Sequence, residues 1–184
     1  LILTLCSAFL LMSKGKAYAT NCGSVQVAGL SWAGGNGVDV HSNGADDGTI
    51  KSCGGYVTNL SASPPQWGWG WQCVELVERM YKTHGWRYPQ VDYAYQLYTE
   101  ASSAGLTTMA NGSVVLANIV PGDMLVTHEG QAGHVMLVDN VKGSSIYAVD
   151  QNGKDGGRTT VTFSNGYLMH GSYYQFSGVV HSPS

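Results

Sequence analysis

The sequence has few charged residues and no clustering of positive charge. Asp, Glu, Lys and Arg make up 11% of the 184 residues, with 9 basic against 12 acidic side chains. Without a basic run, nucleic acid or an anionic membrane is a poor candidate for the main partner. The sequence also lacks an internal repeat, a heptad pattern and a low-complexity tail. With 25 glycines, the composition favours a turn-rich globular domain, which we expect to be monomeric.

Long apolar segments are also missing. The apolar run at residues 1–12 is too short to span a bilayer. Two lysines and the small-x-small pattern Ala-Tyr-Ala follow at residues 14–19. We interpret residues 1–19 as a signal peptide and residues 20–184 as a single domain, secreted to the extracellular space or periplasm without a membrane anchor. An uncleaved N-terminal anchor is the alternative.

Cysteine is scarce and odd in number after the predicted cleavage site. Cys22, Cys53 and Cys73 remain. In an oxidising compartment we expect a Cys22–Cys53 disulfide, which leaves Cys73 as a free and reactive thiol. The alternatives are that Cys73 is a small buried apolar residue or part of the disulfide itself.

A helical pattern begins at Cys73. Apolar residues recur on one face, and two i,i+4 acid–base pairs lie on the other: Leu76, Val77, Met80 and Tyr81, then Glu75–Arg79 and Glu78–Lys82. His84 and Gly85 supply a stop. The pattern therefore predicts a helix that starts at or just before Cys73. Unpaired N–H groups and the helix dipole at that end favour the thiolate, which is the nucleophilic form.

Tryptophan and glycine alternate just before this helix, at Trp67, Trp69 and Trp71. These rings either stack on sugars and wall a substrate cleft or pack beneath the helix, and the sequence leaves both interpretations open.

Metal binding is not predicted. The segment around Asp39, His41 and Asn43 is similar to a calcium loop, but Ile50 occupies the position of the bidentate Glu. Turns explain the Gly, Asn and Asp content of residues 29–55 better. We expect neither a metal nor a cofactor.

The remaining pattern is one further helix and then strands. Asp92 is positioned to cap a helix over residues 93–104 that Gly105 would end. Strand patterns follow at residues 124–128, 134–141, 145–151, 158–163 and 173–180. Helices first and an antiparallel sheet afterwards indicate the α+β class.

A thiol nucleophile needs a nearby base. His134 begins a strong strand directly after Gly133, and His128 ends the preceding strand. Position favours His134, with His128 as the competitor.

Four motifs appear in one order: QCVELV at 72–77, PGDMLV at 121–126, GHVMLV at 133–138 and VDQN at 149–152. The chain thereby resembles the CHAP family, the cysteine, histidine-dependent amidohydrolases/peptidases. The resemblance implies a papain-like, NlpC/P60-type α+β fold, with the nucleophile at a helix start packed on an antiparallel sheet. It implies that Cys73 is the nucleophile, His134 the base, and that the third polar group lies within residues 150–152.

Residues 37–43, 71–75, 111–113 and 133–135 are closer to the amidase domain of bacterial glutathionylspermidine synthetase/amidase. The resemblance covers residues 37–152. The family usually carries Glu where Asp150 stands, so either Asp150 still reaches the histidine or Asn152 carries more of the orienting role. Calcium-binding relatives carry acidic residues before the cysteine, and residues 64–72 contain none. Gln72 is a candidate support for an oxyanion hole.

Strand alternation places Asp150 and Asn152 on one face and Gln151 on the other. If residues 142–144 form a three-residue loop, Val141 faces Ser145 and His134 lies opposite Asn152, with Asp150 on the diagonal. A two-residue loop would instead set His134 beside Gln151. The turn residues do not choose between them, whereas the resemblance favours the first.

These observations predict an exported thiol amidohydrolase or endopeptidase that acts on peptidoglycan or another peptide amide. Two alternatives remain: an amidase for a small γ-glutamyl or polyamine-type amide, and a wall- or glycan-binding protein without catalysis that uses the tryptophan segment.

Overall fold

A computed structural model describes residues 21–30, 38–44, 56–57, 68–153 and 155–183. No helix within these ranges is long and apolar enough to cross a bilayer.

Three of the predictions fall outside the described residues. They are the signal peptide at 1–19, Cys53 as one half of the expected disulfide with Cys22, and Trp67 as a cleft residue. All three stay predictions.

The described chain is a mixed α+β structure with few helices. In chain order its elements are β1 (Val25–Leu30), β2 (Val38–His41), β3 (Tyr56–Val57), β4 (Gly68–Trp69), α1 (Cys73–Thr83), α2 (Gln96–Thr99), a 3₁₀ helix (Ala101–Ala104), β5 (Thr108–Ala110), a second 3₁₀ helix (Leu116–Asn118), β6 (Met124–Thr127), β7 (Val135–Lys142), β8 (Ser145–Val149), β9 (Arg158–Ser164), β10 (Tyr167–Met169) and β11 (Phe176–Val180). The α+β class is as predicted.

A seven-stranded sheet forms the centre, in the order β10-β9-β8-β7-β6-β11-β5, and all of its pairings are antiparallel. Two smaller sheets pair β1 with β2 and β3 with β4. The strands predicted near 124, 134, 145, 158 and 173 are all present, within three residues at each end. Strands β2, β5 and β10 are not predicted from the sequence. β5 and β10 have three residues each, which are too few to show alternation, and β2 lies in the stretch predicted as turns.

Apolar residues on both faces of the sheet form two cores. On one face, Leu137 and Val149 pack with α1 and with the β1–β2 hairpin. On the other face, Met136 and Ile146 pack with β9 to β11 and the loop at 114–119. Because both faces are covered, the first half of β7 is a continuous apolar run rather than an alternating one.

The predicted helix at Cys73 is confirmed. It runs from Cys73 to Thr83, and the chain leaves it through Gly85 in the left-handed conformation. Part of its charged face is buried, since Glu75 and Arg79 are 1% and 3% exposed. Their i,i+4 ion pair, 2.7 Å long, lies inside the protein.

The second predicted helix is shorter than residues 93–104. Asp92 does not cap it, because α2 begins only at Gln96. The Gln96 side chain accepts the backbone N–H groups of Asp92 and Tyr93, and the Tyr95 N–H is taken by the Ala132 carbonyl. Residues 92–95 form bends and turns in place of the first turn of the expected helix. Gly105 ends the following 3₁₀ segment in the left-handed conformation, as predicted.

The β7–β8 hairpin has the predicted register at the site but not at its turn. Lys142 pairs with Ser145, so Gly143 and Ser144 form a two-residue loop and the expected pairing of Val141 with Ser145 is wrong. A bulge between Val138 and Asn140 then shifts the pairing by one residue. Beyond the bulge, Leu137 pairs with Val149. This pairing is the predicted register, in which Asp150 lies near His134.

Gln151 fastens α1 to the end of β8. Its amide nitrogen donates to the Gln72 carbonyl (3.0 Å) and to Glu75 (2.7 Å). Its amide oxygen accepts the His41 backbone N–H and the Arg79 guanidinium, both at 2.9 Å. Gln151 is 0% exposed, so water cannot replace these partners. The Gln151 side chain therefore joins the first turn of α1 and strand β2 to the end of strand β8.

We expect Gln151→Ala to lower the free energy of unfolding by about 2–4 kcal/mol, because several buried polar groups lose their partner at once. Urea unfolding followed by circular dichroism measures this loss. The exposed β9 substitution Thr160→Ala is the control and should change stability by less than about 0.5 kcal/mol. Equal, small effects of the two substitutions would contradict the role given to Gln151.

Candidate active site

Cys73, His134 and Asp150 meet where the start of α1 faces the ends of β7 and β8. The His134 Nε2 atom lies 2.7 Å from an Asp150 carboxylate oxygen, and the Asp150 carboxylate is 0% exposed. The other side of the imidazole is in hydrogen-bonding contact with the thiol of Cys73. Cys73 is a free, buried cysteine. The structure thus brings together these three residues singled out from the sequence.

The turn before β7 places the His134 backbone. Gly133 has φ +66°, and a Cβ at this position would overlap the Thr127 carbonyl. Thr127 is the last residue of β6, and its hydroxyl accepts a hydrogen bond from the His134 N–H at 2.8 Å. The backbone N–H of Thr127 in turn donates to the His134 carbonyl at 2.9 Å. Glycine is required here because the chain passes so close to β6.

Asp150 is held by the chain that follows it. A Cβ on Gly153 would overlap the Asp150 carboxylate. Because the backbone of Gly153 does not have a positive φ, the space taken by the carboxylate is the reason for glycine at this position. The shorter aspartate, where glutamate is usual, still reaches the imidazole.

The environment of His134 favours the imidazolium. Burial by itself lowers the pKa of His134, but the charge of Cys73 and the hydrogen bonds with Asp150 and Cys73 outweigh it. The net effect raises the pKa of His134 well above its ordinary value. The imidazole between Cys73 and Asp150 is therefore held in its protonated form.

Gln72 and Asn152 form a second polar pair at the helix start. The Asn152 amide donates to the Gln72 side-chain oxygen at 2.7 Å. Gln72 is the N-cap residue, yet its side chain makes no capping bond to the helix. Asn152 has φ +56°, a conformation that asparagine tolerates better than most residues. Asn152 therefore contacts Gln72, while Asp150 is the residue bonded to the histidine.

A cleft of about 390 Å³ opens at this site. One wall comes from β4 and α1, and the other comes from residues 91–94 and 132–134. Trp69 lies at its rim with 52% of its surface exposed. Trp71 is not among the residues that line the cleft; it is 5% exposed, its ring centroid lies 4.1 Å from that of His41 at a tilt of 31°, and the Arg79 guanidinium lies over it. Of the two interpretations left open for the tryptophans, the buried position of Trp71 favours packing over a place in the cleft.

The competing base is not at this site. His128 is exposed and its ring contacts the Ser177 hydroxyl at 3.1 Å. It follows β6, on the far side of the turn that brings His134 to Cys73.

Sequence reasoning missed Tyr174. Its ring stacks on His134, with centroids 5.6 Å apart and planes 27° apart. Burial and then the negative charges of Asp150, Asp155 and Glu129 raise the pKa of Tyr174, so its hydroxyl stays neutral. Tyr174 precedes β11 in a strand-like pattern, and nothing in that pattern separates it from a packing residue.

Within the described ranges no group of three or more His, Cys, Asp or Glu side chains is arranged to hold a metal ion.

We expect His134 to stay protonated well above pH 6.5 in the wild type. In Cys73→Ser and in Asp150→Asn its pKa should fall, because each change removes one of the groups that raise it. Histidine NMR titration measures the three values. The stability that the charged imidazole contributes is fully present below about pH 6.5 and is lost as pH rises through the raised pKa. An unchanged pKa in both variants would contradict this assignment.

We also expect Gly153→Ala to destabilise the protein by about 1–3 kcal/mol through overlap with Asp150. Removal of that carboxylate in the double variant Asp150→Ala/Gly153→Ala should relieve most of the cost. A double-mutant cycle of urea unfolding tests this coupling. Strictly additive effects would show that the two residues do not compete for space.

The geometry agrees with a comparison against protein families. Residues 62–152 match the family model described as the CHAP domain, a segment that contains Cys73, His134 and Asp150. No curated protein matches the chain. CHAP domains are typically amidases or peptidases and often act as cell-wall hydrolases. Through residues 62–152 the chain belongs to the CHAP domain family.

Proposed function

We propose that the protein is a thiol amidohydrolase with Cys73 as nucleophile and His134 as acid and base. The observation that carries the proposal is the buried imidazole bonded to Asp150 on one side and in contact with Cys73 on the other. This arrangement lies at the first turn of a helix and opens into a cleft large enough for a peptide segment.

Each group has a defined task in the proposed reaction. The Cys73 sulfur attacks the amide carbonyl carbon, and the carbonyl oxygen takes up the negative charge. The His134 imidazolium donates its proton to the amide nitrogen as the C–N bond breaks and the amine leaves. Neutral His134 then removes a proton from water, which attacks the thioester, releasing the carboxylic acid and the thiolate of Cys73.

Asp150 orients the imidazole and stabilises its charged form. It accepts at Nε2, which leaves Nδ1 for the thiol and the leaving group. Its contribution is electrostatic as well as geometric because the carboxylate is fully buried. Asn152 acts on a different group, since its amide bonds Gln72.

Gln72 and the start of α1 are the proposed oxyanion site. The Gln72 side chain does not cap the helix, so it does not occupy the N–H groups of the first turn. The bond from Asn152 fixes the orientation of the Gln72 amide next to Cys73. Aligned N–H groups stabilise the oxygen charge that develops during attack.

Peptidoglycan is the proposed substrate. CHAP domains often act on cell walls, and the predicted signal peptide would export this chain to that compartment. A papain-like arrangement, with the nucleophile at a helix start and the base on the sheet, agrees with α1 and β7. Exposed Trp69 at the cleft rim supports a second candidate function, the binding of wall glycans without cleavage.

A turbidity assay on purified cell walls tests these two functions. We expect wild-type protein to lower turbidity and to release new amino and carboxyl termini, and Cys73→Ala to lose at least ~10³-fold in rate. Asp150→Ala should lose about 10²–10⁴-fold in kcat. Thr160→Ala, an exposed β9 substitution, serves as the control for purification.

Mass spectrometry of the released fragments identifies the bond cleaved. Lysis that persists at wild-type rate in Cys73→Ala would overturn the proposed nucleophile. Wall binding by the wild type without any release of termini would favour the binding function instead.

A further inference from the structure

The cleft beside Cys73 is acidic. Among the described residues that line it are three carboxylates, Glu75, Glu78 and Asp92, and no lysine or arginine. The charge of His134 is offset by its ion pair with Asp150. A peptide that enters this cleft therefore meets an unbalanced negative potential.

The three carboxylates are not equivalent. Glu75 is neutralised by its buried ion pair with Arg79. Asp92 is exposed at the edge of the cleft, where water screens its charge. Glu78 is half-buried in the wall between these extremes, so it is the acidic group whose charge acts most directly inside the cleft.

Glu78 packs against the strand that carries Trp69. One of its carboxylate oxygens would lie 3.2 Å from a Cβ added to Gly68, so this oxygen fills the space left by the glycine. Burial raises the pKa of Glu78 to about 7, and Glu75 adds to the effect. Lys82 opposes the shift without overcoming it. The carboxylate is thus desolvated and insufficiently compensated, a condition that a bound cation would relieve.

Helix geometry sets the distance from the reacting bond. Cys73 and Glu78 are five residues apart on α1, a rise of about 7.5 Å. A group bound at Glu78 would therefore belong to the residue that carries the scissile carbonyl or to the one next to it.

We propose that Glu78 is a specificity-determining residue that binds an ammonium group of the substrate beside the scissile amide. The inference rests on the proposed amidohydrolase function and assigns the substrate class: peptide amides with a primary amine within one residue of the cleaved bond. Glu78 holds the amine while Cys73 attacks the carbonyl.

Matched peptide amides test the proposal. One series carries lysine next to the cleaved bond, and the other carries norleucine, which has a similar length and no charge. We expect Glu78→Gln to raise KM for the lysine series about tenfold or more, with kcat within about twofold and the norleucine series unchanged. Glu100→Gln removes an exposed carboxylate outside the cleft and is the matched control.

The ratio of kcat/KM between the two series supplies a second readout. Because Glu78 is charged above its pKa, this ratio should rise as pH increases through about 7. In Glu78→Gln the ratio should no longer depend on pH in this range. In Lys82→Met the midpoint of the rise should move to higher pH, since Lys82 lowers the pKa of Glu78. Effects of the catalytic residues cancel in the ratio.

Thiol labelling separates a failure of this inference from a failure of the proposed function. The rate at which Cys73 reacts with 2-aminoethyl methanethiosulfonate is compared with its rate with the neutral methyl reagent. Each reagent transfers its alkylthio group to the Cys73 sulfur, forming a mixed disulfide as the S–SO2 bond breaks and methanesulfinate leaves. We expect Glu78→Gln to lower the cationic-to-neutral ratio.

The outcomes are distinct. If both peptide series are cleaved with equal KM by wild type and Glu78→Gln, the ammonium site is wrong and the amidohydrolase function stands. If no amide is cleaved, the proposed function is wrong. The labelling ratio then decides the site: a fall in Glu78→Gln supports it, and an unchanged ratio overturns it.

Discussion

The buried hydrogen bonds of Gln151 are the interaction on which the candidate site depends. Cys73 belongs to a helix, and His134 and Asp150 belong to the sheet, so their chemistry requires two layers to meet in one arrangement. Gln151 uses both of its amide groups to join the first turn of α1 to β2 and to the end of β8. Since all of these groups are removed from water, other arrangements would leave polar atoms unpaired.

The three residues that follow β8 serve two layers in turn. Asp150 faces the imidazole, Gln151 faces the helix, and Asn152 returns to the cleft to contact Gln72. The bulge in β7 is what brings this alternation into phase with His134. A hairpin with the same two-residue turn and no bulge would shift the pairing by one residue and turn the opposite face to the histidine.

In the proposed reaction, electrostatics divide the cleft into a reacting end and a recognition end. At the reacting end, Cys73 and Asp150 raise the pKa of His134 and hold its proton. Along the same helix, Glu78 is half-buried against Gly68, and Lys82 does not overcome the effect of burial on its pKa. One helix thus carries the proposed nucleophile at its first residue and Glu78 about 1.4 turns later. In the proposed reaction a single rigid element therefore holds both the reacting carbonyl and a cationic substituent.

The sequence alone determined the α1 helix and the α+β class, because periodicity and glycine stops are local signals. The set of polar residues near Cys73 was implied by the resemblance of four motifs to the CHAP family. Tertiary structure decided how those residues are used. It placed Trp71 inside and left Trp69 at the rim, confined the second helix to Gln96–Thr99, and stacked Tyr174 on His134. It also reached the correct register at Asp150 through a bulge rather than through the expected loop. These outcomes depend on contacts between segments far apart in the chain, and no local pattern encodes them.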